Sequence, residues 1–222
     1  MDIRQVIQER RSIRRFKPDP VPESLIREIL DEARWSTSWG NTQPWEFYVV
    51  TGDALRKFKD ANRSTFDAKA PTAPEIKMPE EWSERLKTRY MGIGKSVLDA
   101  LGLARDDAAS RNAHGRAMYG LFEAPCLIVA CIDKHASSVE YALLDVGLIT
   151  QTICLLAHDR GLGTCILACA VRYPAALQGV LPAWEDKLLV AGIALGYPDK
   201  EAPLNRFARE RAPLAEIVTW VR

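Results

Sequence analysis

Val139-Glu-Tyr-Ala-Leu-Leu-Asp-Val-Gly-Leu-Ile-Thr-Gln-Thr-Ile-Cys-Leu-Leu-Ala157 is the longest apolar tract in the chain, and its reading settles the fold class. Glu140 and Asp145 lie inside it, and only Val146–Ala157 is free of charge, far short of the roughly 20 residues that cross a bilayer. The tract therefore reads as a central buried helix. Ser137 or Ser138 can cap its start and Gly161 can stop it. Leucine, isoleucine and alanine are spread around it, as packing on most sides requires.

Working outward, an amphipathic helix is predicted over Pro22–Trp35, carrying Leu25, Ile26, Ile29, Leu30 and Ala33, and a shorter one from about Leu55 to Asn62. Strands are signalled at Glu46–Thr51, Cys126–Ile132, Thr164–Cys169 and Leu188–Leu195, short apolar or alternating runs bounded by Gly, Pro or Asp. Cys126–Ile132 and Leu188–Leu195 are apolar at nearly every position, which implies a sheet covered on both faces. The fold is thus mixed α and β with a sandwiched sheet. From Arg63 to Phe122 the texture turns to charged helical sequence with Pro71, Pro74 and Pro79, an excursion from the core within one domain spanning 1–222.

Lys plus Arg number 30 against 29 Asp plus Glu, a formal net charge of +1 over 222 residues, so no bulk field draws the chain to nucleic acid or an acidic membrane. All five cysteines sit in apolar runs, and the charged start MDIRQVIQERRSIRRF has no apolar h-region. Both point to buried thiols in a reducing cytosol. Three histidines without paired spacing and no CxxC argue against a zinc site, and no GxSxG elbow is present. Gly92-Ile-Gly94-Lys95-Ser96 fails as a phosphate loop because Arg89 stands where that loop needs glycine. Gly161-Leu-Gly163 fails as a dinucleotide fingerprint because Ile166 stands at its third glycine, so it reads as a helix C-cap and turn.

Charge is nevertheless unevenly placed. Arg10, Arg11, Ser12, Arg14 and Arg15 crowd the N-terminus, and Arg206, Arg209 and Arg211 crowd the C-terminal stretch. Brought together they would make a phosphate clamp without a glycine loop; kept apart they are solvated faces. Trp35-Ser-Thr-Ser-Trp-Gly-Asn-Thr-Gln-Pro-Trp45 joins a helix to a strand, and its Asn41 offers the donor and acceptor that a heteroaromatic edge needs. Its alternative is an ordinary connecting loop with Trp45 in the core.

ERRSIRRF, ARWSTSWGNTQPWEF, the GLGT turn after the long apolar helix, and the late GYP…NRFARERAPL together resemble the nitroreductase family, in the family's order and over nearly the whole chain. The stretch Ala104-Arg-Asp-Asp107…Arg111 is most similar to the branch that contains nitrobenzoate reductases. The resemblance implies an α+β fold with a mostly antiparallel central sheet between helices. It also implies an entwined homodimer with FMN at the interface, and NAD(P)H-driven reduction of nitroaromatic or related acceptors by ping-pong hydride transfer. Other flavin chemistry on this fold (quinone or ene reduction, dehalogenation, flavin cleavage) and a non-catalytic flavin-binding protein are the alternatives.

Carried over by position, Arg10, Arg11, Ser12 and Arg14 would contact the phosphate, ribityl and N1–C2 carbonyl edge of FMN, with Arg14 stabilising the reduced flavin. Arg209 and Arg211 would complete the phosphate site. Thr37, Ser38, Trp39 and Asn41 would reach the flavin from the partner subunit, and the backbone of Leu167, Ala168 and Cys169 would lie near N5. No side chain would act as acid or base. Trp39 stands where the family often has a small residue, so its indole would narrow the site or stack on a bound aromatic. Arg116-Ala-Met-Tyr-Gly120 replaces an Asn and a Lys that some members use, and carries no assigned contact.

Overall fold

The computed structural model describes residues 1–104 and 107–222, so Arg105 and Asp106 of the branch-like stretch lie outside it. Helix α1 (Ile3–Glu9) is capped by the Asp2 carboxylate, which accepts from the Arg4 N–H at 3.0 Å. Helix α2 (Glu23–Ala33) starts after Pro22 and turns Ile26, Ile29 and Ala33 inward. Strand β1 (Trp45–Thr51) passes into α3 (Gly52–Asp67) through Gly52, whose φ of 56° suits glycine. The excursion holds α4 (Glu84–Ala100) and α5 (Ala108–Tyr119). Then come β2 (Cys126–Asp133), α6 (Val139–Asp159), β3 (Gly163–Leu167), the short α7 (Pro174–Gln178) and β4 (Lys187–Gly196).

The strands form one sheet in the order β1-β2-β4-β3, every neighbouring pair antiparallel. Side-chain alternation along β2 divides the interior in two. Cys126 and Ile128 pack with Ile26 and Ile29 of α2 and Ile149 and Ile153 of α6. Leu127, Val129 and Cys131 point to the opposite face, against Leu55 and Phe58 of α3 and Leu177 of α7. Both faces are covered, as continuous apolar strands require, and the fold is α+β with an antiparallel sheet between helices.

Helix α6 begins at Ser138, whose Oγ accepts from the Tyr141 N–H at 3.4 Å. It ends in a Schellman turn: Gly161 takes φ 75°, its N–H donates to the His158 carbonyl at 3.0 Å, and the Leu162 N–H reaches Ala157 at 2.9 Å. By length and composition α6 could cross a membrane, but Val146, Ile149, Ile153 and Ala157 are buried within the fold, making it a core helix. Helix α3 is longer than the Leu55–Asn62 expected from apolar spacing: its first turn is polar, and beyond the buried Asn62 its last turn brings Phe66 onto the ring of Tyr119 at 4.5 Å. The strand expected to run to Cys169 stops at Leu167, and Ala168–Ala170 forms a 3₁₀ turn. That turn crosses Gly192 of β4, where a Cβ would stand 2.4 Å from the Ala170 side chain.

A second close approach sets the position of the N-terminal arginines. The segment 12–16 starts beside β3 and ends beside the chain leaving β4: Ser12 bridges Thr164 in parallel, the Ile13 N–H donates to the Thr164 carbonyl at 2.8 Å, and Phe16 bridges Pro198. Ile13 lies so close to Gly163 that a Cβ there would meet its Cγ1 at 2.5 Å. Gly163→Val forces the two apart, an overpacking that costs about 1–3 kcal/mol. The melting temperature, followed by differential scanning calorimetry, is expected to fall by roughly 2–10 °C for a chain of this length.

Candidate active site

The arginine clusters at the two ends of the chain converge. Asn205, buried, makes the join: its Oδ1 accepts from the Arg14 N–H at 2.7 Å, and its Nδ2 donates to the carbonyls of Arg15 and Asp199, each at 2.8 Å. Arg11 donates to the carbonyls of Asn205 and, at 3.3 Å, Phe207. Arg209 donates to the carbonyls of Gln8 and Arg10. Both guanidiniums, expected only as anion contacts, also staple the C-terminal stretch to the N-terminal one.

Around this join lies a cleft of about 820 Å³, lined by Arg10, Arg11, Ser12, Arg14, Arg209 and Arg211 and, on the α4 side, by Arg85 and Arg89. Burial, and then the neighbouring charges of Arg11, Arg211 and Arg10, hold the Arg209 guanidinium below its ordinary pKa. Guanidiniums clustered in this way are suited to take up an anion. The Arg14 guanidinium is steadied by the Ser12 carbonyl at 3.3 Å and lies 5.6 Å from the centre of the Phe207 ring.

Arg14 and Leu204 also line a smaller cleft of about 300 Å³ with Arg15, His114 and Phe122. The His114 ring stands 5.7 Å from that of Phe122, and burial, then Arg14, lower its pKa from 6.5. His114 is therefore neutral at pH 7. The unfolded chain takes up this proton more readily than the folded one, so stability is lost as pH falls through 6.5 toward the lower folded value. His158, lowered chiefly by burial, adds in the same sense. Melting temperatures recorded from pH 7 to pH 5 are expected to fall, and less steeply in the double variant His114→Gln/His158→Gln.

At the turn after β3, Leu167 and Cys169 are buried and Ala168 is exposed. Asn62 of α3, fully buried, donates from Nδ2 to the Tyr119 carbonyl at 2.8 Å and toward that of Cys169 at 3.4 Å. It thereby ties the turn to the end of α5. Burial pushes the Cys169 thiol up to about 12, which makes it inert, so the turn offers backbone groups and small side chains.

Thr37, Ser38, Trp39 and Asn41 line neither cleft; they lie over the first half of α6. The Trp39 N–H donates to both oxygens of Asp145, at 3.1 and 3.2 Å, and Asp145 is only 3% exposed. The Trp39 indole is 63% exposed and stands 4.6 Å from the ring of Tyr141. Asn41 takes the left-handed conformation at φ 58°, and Ser38 Oγ accepts from the Gln43 N–H at 3.0 Å. Tyr141, Leu144 and Leu148, on neighbouring turns of α6, leave an exposed apolar stripe beside this loop.

Asn62, Asp145 and Asn205 were not singled out from sequence. Asn62 continues the spacing Leu55, Phe58 that marks the buried face of α3, and Asp145 interrupts an apolar tract, so both carried a signal of burial but none of partner. The nitroreductase family model matches residues 7–197. The chain belongs to the nitroreductase family. It is 32% identical to a 4-nitrobenzoate reductase of Nocardioides sp. (strain LMS-CY), over 97% of this chain and 88% of that one. It is 31% identical to the chloronitrobenzene nitroreductase of Comamonas testosteroni, over 99% and 96%. Among solved structures, the FMN and NADPH-dependent nitroreductase NfnB from Sphigopyxis sp. strain HMH superposes with a TM-score of 0.93 at 31% identity, covering 100% of both chains. The FMN-dependent NfnB from Mycobacterium smegmatis, in complex with NADPH, gives 0.92 at 27% identity over 99% and 97%.

Replacing Asn205 with Leu in this nitroreductase leaves the Arg14 N–H without its partner and takes one of two donors from each of the carbonyls of Arg15 and Asp199, which keep the N–H groups of Asp199 and Ala202. An unpaired donor of this kind costs about 1–3 kcal/mol. Limited trypsin digestion of Asn205→Leu is expected to cut at Arg206, Arg209 or Arg211 before any other site and faster than in the parent; equal rates in the two proteins would contradict the join.

Proposed function

We propose that this chain is an FMN-dependent oxidoreductase that uses NAD(P)H to reduce nitroaromatic or related electron-poor acceptors, acting as a homodimer. The observation that carries the reading is the convergence of both arginine clusters on one cleft with Arg209 held below its ordinary pKa. The donor set fits FMN: several guanidiniums and a hydroxyl suit a phosphate monoester and a polyol. FMN supplies a two-electron carrier that accepts hydride and passes it on.

In this reading Arg10, Arg11, Ser12, Arg209 and Arg211 bind the phosphate end. Arg14, steadied by Phe207 and the Ser12 carbonyl, would lie toward the N1–C2 edge, where a guanidinium would offset negative charge on the reduced flavin. The peptide groups of Leu167, Ala168 and Cys169, in a turn held by Asn62, would serve the N5 side. No carboxylate or imidazole is assigned to the transfer, so water supplies the protons. The apolar stripe of Tyr141, Leu144 and Leu148 packs on a second copy. That copy carries Thr37, Ser38, Trp39 and Asn41 to its partner's cleft, with Asp145 fixing the loop through the Trp39 N–H. Residues 1–222 act as one unit, in the cytosol, where five buried free thiols stay reduced.

The purified protein is expected to be yellow with one FMN per chain in a dimer. NADPH should bleach it without oxygen, and 4-nitrobenzoate should restore the colour with parallel-line initial-rate kinetics. Colourless protein that takes up no FMN, or yellow protein inert to NADPH and NADH, contradicts the reading. Arg10→Ala, losing a charge-assisted bond of about 1.5–3 kcal/mol, should weaken FMN binding roughly tenfold to hundredfold in a fluorescence titration.

A further inference from the structure

The cleft holds more positive charge than one phosphate needs. Among the described residues, seven arginines line it (10, 11, 14, 85, 89, 209 and 211) against two acids, Glu210 and Glu216. In the proposed reading Arg10, Arg11, Arg209 and Arg211 serve the FMN phosphate. Arg85 and Arg89 come instead from α4 in the helical excursion. They stand one helical turn apart and so project from the same face.

Both are already engaged with one residue of the chain, Arg89 with its carboxylate and Arg85 with its main-chain carbonyl. Arg89 Nη2 lies 2.5 Å from Glu216 Oε2, and Arg85 Nη1 donates to the Glu216 carbonyl at 3.1 Å. Glu216 sits in the short 3₁₀ turn Leu214–Glu216, and the ion pair is exposed, with the Arg89 side chain 38% and the Glu216 side chain 47% accessible. Exposed pairs of this kind contribute little and exchange readily. Thr88, between the arginines, is engaged through its hydroxyl with the Glu84 carbonyl at 2.9 Å, so recognition falls to the guanidiniums.

We infer that Arg85 and Arg89 form a second anion subsite, which takes a phosphate of the nicotinamide dinucleotide in exchange for the Glu216 carboxylate. The inference rests on the proposed FMN reading, because the dinucleotide has to share the cleft with the flavin it reduces. Guanidiniums bind phosphate in bidentate fashion and more strongly than they hold one exposed carboxylate. The phosphate has two sources, the 2′-phosphate that only NADPH carries and the pyrophosphate common to NADPH and NADH.

The test uses the oxidised holoenzyme and calorimetric titration with adenosine 2′,5′-bisphosphate and with ADP, alongside the dissociation constants of NADPH and NADH from anaerobic stopped-flow reduction. Arg85→Gln/Arg89→Gln is expected to weaken NADPH and adenosine 2′,5′-bisphosphate at least tenfold while FMN content and melting temperature hold. Loss confined to these two ligands identifies the 2′-phosphate; equal loss for ADP and NADH identifies the pyrophosphate. Glu216→Gln, which removes the competing carboxylate, is expected to tighten the same ligands several-fold. Unchanged nucleotide affinity in the double variant overturns the subsite, whether FMN is lost, which would give the pair to the cofactor, or only the melting temperature falls, which would make it a strut. A parent protein that holds no FMN would instead refute the flavin reading itself.

Discussion

Arg209 stands among Arg10, Arg11 and Arg211, and the C-terminal stretch remains against the N-terminal one because main-chain carbonyls accept from the guanidiniums of Arg11 and Arg209. This is a balance between opposed terms. Hydrogen bonds to a charged donor are worth about 1.5–3 kcal/mol each, whereas like charges at partly buried positions repel and lose hydration. The lowered pKa of Arg209 records the unfavourable side of that balance. The proposed anion in the cleft would relieve the repulsion without breaking the staples, so that ligand binding and closure of the chain ends would reinforce each other.

The rest of the architecture serves to hold that join against the sheet. Gly163 lets Ile13 approach β3, so the arginine segment is fixed by sheet-like bonds rather than carried on a loose tail. Gly192 does the same for the turn at Ala168–Ala170, and Asn62 ties that turn to α5 from the other side. Arginines and turn are thus positioned from the same edge strand, β3. A rigid scaffold of this kind presents charge and peptide donors with little reorganisation on binding. The Trp39 loop is built on the opposite plan, anchored through one buried carboxylate with its indole exposed.

Much of this was legible in the sequence because it rests on periodicity. The apolar run Val139–Ala157, the amphipathic spacing of Pro22–Trp35 and the continuous apolarity of Cys126–Ile132 each have one good physical solution. The four strands and the covering of both sheet faces followed. Where reading failed, the deciding interaction was distant in the chain. Cys169 leaves the strand because of Gly192, and Arg11 and Arg209 act as staples because of carbonyls about 200 residues away in the chain. In α3 the polar Asn62 interrupts the apolar spacing that Phe66 resumes one turn later. Asn62 and Asn205 work through backbone carbonyls, which every residue possesses and no sequence pattern marks.

Positive charge awaiting a phosphate is the centre of this account, and flavin-free protein offers the direct measurement of it. Fluorescence titration with FMN and with riboflavin, which lacks the phosphate, isolates the contribution of the arginines from that of the flavin ring. FMN is expected to bind at least roughly a hundredfold more tightly, about 2.7 kcal/mol, with the difference narrowing as potassium chloride is raised. Equal affinities for the two flavins, independent of salt, would contradict it.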